Sequence, residues 1–123
     1  MDSAFYHYNL TDTIPDKYSL VTERHARKFS DTRIVQRFEI SDILYLGAVQ
    51  EEFEGSKITI YNRERMLLKL LRNKNVLPFD YYKEVLGNYR KILHELDTQL
   101  IQDYVPQMSK SKMIFRALQQ EVF

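Results

Sequence analysis

Apolar residues recur at two different periods along the chain. In the first half the runs are short, and many fall at every second position. Lys17 to Thr22 (KYSLVT) follows Pro15 and is rich in strand formers. Thr32 to Ile40 (TRIVQRFEI) carries Ile34, Gln36, Phe38 and Ile40 on one face. Val49, Glu51 and Phe53 share a face in the next run, and Ile58 and Ile60 share one in the run after it. Alternation of this kind marks a strand with two unlike faces. Glu54-Gly55-Ser56 separates the last two runs. Gly supplies the positive φ that a tight connection needs, so this pair predicts a hairpin. Ser41 to Gly47 (SDILYLG) fits either a helical turn or the start of a strand, because period alone does not separate the two.

In the second half the period lengthens to that of a helix. Asn62 can cap a helix over Arg63 to Arg72, with an apolar stripe of Met66, Leu67, Leu70 and Leu71 and with Arg65, Lys69 and Arg72 on the other side. Leu77-Pro78 breaks the chain, and proline suits a first helical turn. From Phe79 to Leu96 the spacing of Tyr82, Val85, Leu86, Tyr89, Ile92, Leu93 and Leu96 predicts a long helix. Tyr82 and Tyr89 are then core residues with hydroxyls at the rim. Gly87 costs this helix about 1 kcal/mol relative to Ala. Asp97 to Tyr104 predicts a shorter helix ended by Pro106, and Ser109 or Ser111 a cap for a last helix bearing Met113, Ile114, Ala117, Leu118 and Val122. At the other end, Ser3 to Leu10 (SAFYHYNL) suits a helical face, yet no cap precedes it. It reads as the end of an element whose beginning is missing, as in a truncated chain. Strands followed by helices predict an α+β fold. The expectation is a small, mostly antiparallel sheet in the N-terminal half packed against a C-terminal set of helices, in a single domain over residues 1–123.

Composition narrows the classes. A chain of 123 residues fits one domain and can bury roughly two thirds of its unfolded surface. Hydrophobic content of 44% and charged content of 28% are ordinary for a globular protein. Zero cysteines exclude a disulfide scaffold, a thiolate zinc site and a cysteine nucleophile. No apolar run approaches the ~20 residues of a membrane span. The first ten residues carry Asp2 and no Lys or Arg, unlike a secretory signal. The expected location is the cytoplasm.

The net charge of +1 hides segregation. Residues 17–37 hold six positive and two negative groups, 38–55 hold five negative and no positive, and 62–75 hold five positive and one negative. Such blocks suit a surface that meets a partner of complementary pattern. They also suit neighbouring strands, with Arg33 and Arg37 pairing across to Glu51 or Glu52. The run Arg24-His25-Ala26-Arg27-Lys28 holds no acid and repels itself unless an anion is near. It is the first candidate binding patch. Arg63, Arg65 and Lys69 are the second.

Motifs for chemistry are sparse. His7, His25 and His94 have no metal-ligand spacing. Three glycines in the whole chain leave no phosphate-cradling loop. Glu51, Glu52, Glu54 and Lys57 come closest to a metal-dependent nuclease set, but they flank a hairpin tip. The residues therefore point to a binding module without a cofactor, metal or small-molecule substrate, with two alternatives open. One is a stand-alone nucleic-acid-binding domain and the other a small nuclease.

The order of segments resembles a known family. Ser3-Ala4 followed by Leu10-Thr11-Asp12-Thr13-Ile14-Pro15 resembles the opening signature of AbiEi-type antitoxins, from abortive-infection, type IV toxin–antitoxin pairs. The strand Tyr18 to Val21, the basic loop Arg24 to Lys28 and the strand Ile34 to Phe38 follow in the family's order. So do the hairpin Gly47…Gly55…Ile58-Thr59-Ile60-Tyr61 and the helix start Asn62-Arg63-Glu64-Arg65-Met66. Two positions depart from the family: Met66 to Leu68 replace its polar residues after Glu-Arg, and His25 and Ala26 stand where its loop often has Gly. The resemblance implies the C-terminal antitoxin domain, without the family's N-terminal winged helix-turn-helix. It implies a non-enzymatic role in phage defence, opposing a nucleotidyltransferase-like toxin and assisting transcriptional repression at operator DNA. In this family opposition to the toxin does not require a stable complex.

Overall fold

The structure, a computed structural model, describes residues 2–13, 18–23, 34–39, 46–53 and 55–123. The chain, expected as one domain, divides by its internal packing into two compact units, Met1–Asn62 and Arg63–Phe123. The fold class is α+β; among the described residues, the strands lie in the first unit and most of the helix in the second.

The first unit opens on α1 (Asp2–His7). Its end is set by Asn9, which takes the left-handed conformation at φ 60°. The Asn9 N–H donates to the Tyr6 carbonyl at 3.0 Å and the Leu10 N–H to the Phe5 carbonyl at 2.9 Å. This is the paired bonding of a Schellman cap, which satisfies the last carbonyls of a helix and favours an apolar pair across it. Phe5 and Leu10, the residues in those positions, are both buried. Thr11 is buried next to them, and its Oγ1 accepts from the Thr13 N–H at 3.1 Å. The Tyr8 hydroxyl donates to the Tyr61 carbonyl at 2.9 Å, joining this corner to a strand 53 residues away.

Four strands follow: β1 (Tyr18–Glu23), β2 (Ile34–Glu39), β3 (Ala48–Phe53) and β4 (Ser56–Tyr61). β3 and β4 form the expected antiparallel hairpin, from Ala48 opposite Tyr61 to Phe53 opposite Ser56. Gly55 turns it at φ 80°. Its open end is closed by the Asn62 N–H, which donates to the Gly47 carbonyl at 2.7 Å. β1 and β2 pair with each other instead of with the hairpin, and they run parallel, from Tyr18 opposite Ile34 to Glu23 opposite Glu39. This departs from the cross-strand charge pairing read from the sequence. Arg37 lies opposite Val21, and Glu52 lies opposite Lys57. Arg33, Glu54 and most of the ambiguous stretch 41–47 lie outside the described residues.

The second unit is helical: α2 (Arg63–Arg72), α3 (Phe79–Lys91), α4 (Thr98–Tyr104) and α5 (Ser111–Ala117). α2 is central and packs against α3, α4 and α5. α3 starts directly after Pro78 and stops short of the predicted Leu96. From Ile92 the bonds tighten to a 3-10 turn, with Glu95 N–H to the Ile92 carbonyl at 2.8 Å and Leu96 N–H to the Leu93 carbonyl at 3.1 Å. The turn still delivers Leu96 to the core. Asp97 caps α4, its Oδ1 accepting from the N–H groups of Gln99 and Leu100 at 3.0 and 3.2 Å. No serine caps α5. Lys110 precedes it in the left-handed conformation, and the Ser109 hydroxyl instead accepts from Arg72 Nη1 at 3.0 Å. α5 runs on through a wider turn over Leu118–Val122, where the Phe123 N–H reaches the Leu118 carbonyl at 2.8 Å. Among the described residues, no helix is long and apolar enough to cross a membrane.

Candidate functional site

The first candidate patch, Arg24, His25, Arg27 and Lys28, lies outside the described residues. The second lies on α2, and the fold separates its members. Arg63 sits in the first turn with a third of its side chain exposed, and its Nη1 is 3.7 Å from Glu95 Oε1. A pair this open contributes little to stability. Tyr89, buried on α3, donates its hydroxyl to the Arg63 carbonyl at 2.9 Å, so the backbone here is fixed while the guanidinium reaches solvent.

Arg65 and Lys69 do not line a solvent face, contrary to the sequence reading. Arg65 is 0% exposed and Lys69 is 6% exposed, within an unbroken buried run from Glu64 to Leu71. Met66, Leu67, Leu68, Leu70 and Leu71 span an arc of about 200° at 100° per residue, twice the stripe of an ordinary surface helix. Helices α3, α4 and α5 then pack around α2. Both cations are engaged by interactions, as a buried charge must be to persist.

Glu121 forms a second polar cluster. Its Oε1 accepts from Lys74 Nζ at 3.0 Å and its Oε2 from the Tyr82 hydroxyl at 3.3 Å. Arg90 Nε donates to the backbone carbonyl of the same residue at 2.6 Å. Lys74 Nζ also lies 5.8 Å from the Tyr82 ring centroid. Burial pushes the Tyr82 phenol well above its usual range, and the Glu121 charge and hydrogen bond add to this against a smaller opposing effect of Arg90. The tyrosine therefore stays a donor, and the cluster ties the last turn of the chain to α3 and to the end of α2. It is a structural latch.

A third feature was not singled out from the sequence. The outer face of α5 and the turn after it exposes Lys112, Phe115, Arg116, Gln119, Gln120 and Phe123, with Lys110 exposed just ahead of it. Ile114, Ala117, Leu118 and Val122 on the opposite side are buried. Phe115 is 54% exposed and Phe123 59%. The signal was present as charge: residues 104–120 carry Lys110, Lys112 and Arg116 and no acid.

Among the described residues, no group of three or more His, Cys, Asp or Glu is placed to hold a metal ion. Of the residues weighed for a nuclease, Glu51 and Glu52 lie on β3 and Lys57 on β4, with Glu52 opposite Lys57 in the register. No family model matches the chain, and no curated protein matches it.

Proposed function

We propose that this chain is the antitoxin and regulatory domain of a phage-defence toxin–antitoxin pair. It acts in the cytoplasm, opposes a nucleotidyltransferase-like toxin and assists repression at the operator. It works by recognition, without a bond made or broken by its own side chains. The observation that carries the reading is the order of segments. The stretches that resemble AbiEi-type antitoxins fall on β1, β2, the β3–β4 hairpin and the start of α2, in the family's sequence. Leu10 and Thr11 of the resembling signature are buried at the corner that follows the α1 cap. Arg24, Arg27 and Lys28 are the residues assigned to partner or DNA contact, with Arg63 as the exposed member of the second patch.

The test is co-expression of the full chain with the toxin encoded beside it, with host growth as the readout. Growth is expected to recover with the wild-type chain. The triple reversal R24E/R27E/K28E is expected to lose recovery or operator binding while keeping its far-UV spectrum. Soluble wild-type protein that leaves the toxin fully active refutes the proposal.

A further inference from the structure

We propose that the outer face of α5 and its following turn is a binding surface for a single-stranded nucleic acid, with Lys110, Lys112 and Arg116 on phosphates and Phe115 and Phe123 stacking on bases. The inference uses different residues from the antitoxin reading and stands or falls separately from it.

Three observations carry it. The first is charge. Lys110, Lys112 and Arg116 are exposed, and none makes an ion pair or side-chain hydrogen bond among the described residues. The surrounding stretch 104–120 has no acid. Elsewhere in this unit Lys74 pairs with Glu121, and Arg72 and Arg90 donate to the Ser109 hydroxyl and the Glu121 backbone carbonyl. The second is the position of the phenylalanines. The helix already has a full apolar side in Ile114, Ala117, Leu118 and Val122. Phe115 and Phe123 are surplus to the core and lie on the cationic side, more than half exposed. The third is geometry. Phe115 and Arg116 lie three and four residues after Lys112, and Gln119 lies four and three after them, so these four share one face of the helix, with Phe123 exposed at the end of the wider turn that follows.

A cationic track interleaved with aromatic rings is how proteins hold single strands without reading sequence, since every base offers a π-face. The competing partners fit less well. Lysine is depleted in protein–protein interfaces, and here two of the three cations are lysines. A helix lying on a membrane needs a broad apolar face, and the apolar face of this one is spent on the core. A duplex keeps its bases stacked, which would leave the two rings without a role.

The experiment is fluorescence anisotropy with a labelled mixed-sequence 20-mer, as single-stranded DNA and RNA and as the matching duplex, titrated with the full chain over a salt series. Three phosphate contacts predict a log–log salt slope of about −2 for the single strand. K112E/R116E is expected to weaken binding by roughly tenfold or more and to flatten the slope by about 1.4. Phe115→Ala is expected to weaken single-strand binding by roughly 5- to 150-fold, with the slope unchanged. K83E/K91E, at two exposed lysines of α3, serves as a charge-matched control and is expected to bind as wild type. All the substituted side chains are exposed, and the wild-type slope needs no variant. The proposal is overturned by a wild-type chain that does not bind the single strand, or by variants that bind it with unchanged strength and slope. It is also overturned by a duplex preferred over the strand with Phe115→Ala silent. Binding to polyglutamate or to phosphatidylserine vesicles in place of the oligonucleotide overturns it as well.

Discussion

Replacing Gly87 with alanine is expected to stabilise the protein. Gly87 lies inside α3, and a Cβ built there meets no heavy atom within 4 Å. The backbone is helical, so alanine adopts it without strain, and the substitution removes the conformational freedom that glycine loses on folding. The gain from helix propensity is about 0.8–1.0 kcal/mol. With an unfolding entropy of about 2.1 cal/mol/K per residue, the 123 residues together give about 0.26 kcal/mol/K. A chain that melts as one cooperative body should then gain about 4 °C in Tm. If Arg63–Phe123 melts by itself, its 61 residues give half that entropy and a shift of about 6–8 °C. Calorimetric scans of G87A and wild type read both the sign and the size. An unchanged or lowered Tm refutes the reasoning, because it requires either a clash at a position described as open or a non-helical residue 87.

Four smaller perturbations follow from other elements. Asp97→Ala removes two accepted hydrogen bonds at the start of α4 and should cost about 1 kcal/mol in urea unfolding. Tyr89→Phe deletes the hydroxyl bonded to the Arg63 carbonyl inside the second unit. It should cost about 1 kcal/mol, and no loss would mean that the bond does not form in solution. Gly55→Ala meets no atom, yet it should cost about 1–2 kcal/mol because φ is 80° there. For Tyr82 the folded pKa is raised above the ordinary value of about 10. Its contribution is complete below that pH and falls as pH rises beyond it, because the unfolded chain loses the proton first. Tm should therefore drop less steeply above pH 10 in Tyr82→Phe than in wild type. Equal slopes would contradict the burial of the phenol.

What the sequence made legible was local. The hairpin at Gly55, the stripe of α3 with Tyr82 and Tyr89, and the short helix after Asp97 each rest on residues within one or two turns of each other. The pairing of β1 with β2 was not legible, because alternation reports a strand's faces and says nothing of its neighbour. The α1 stop was overlooked because its left-handed residue is Asn9 and not glycine. The cap expected at Ser109 or Ser111 went instead to a lysine in the left-handed region, since the Ser109 hydroxyl is taken by Arg72. The second basic patch failed because α2 is buried on every side from Glu64 to Leu71. Four apolar residues were counted as a stripe on α2, but the whole run, both cations included, is buried, so the helix keeps no solvent face there. The cationic ridge on α5 was visible as a run without acids, but only the structure shows that both phenylalanines stand on its outer side.

The grip on Glu121 is split between what evolution can change and what it cannot. Lys74 and Tyr82 hold the carboxylate, whereas Arg90 holds the peptide oxygen, which every amino acid carries. Drift at position 121 would therefore slacken the final turn without setting it loose. Drift at position 90 would remove a side-chain tether that is indifferent to the identity of residue 121.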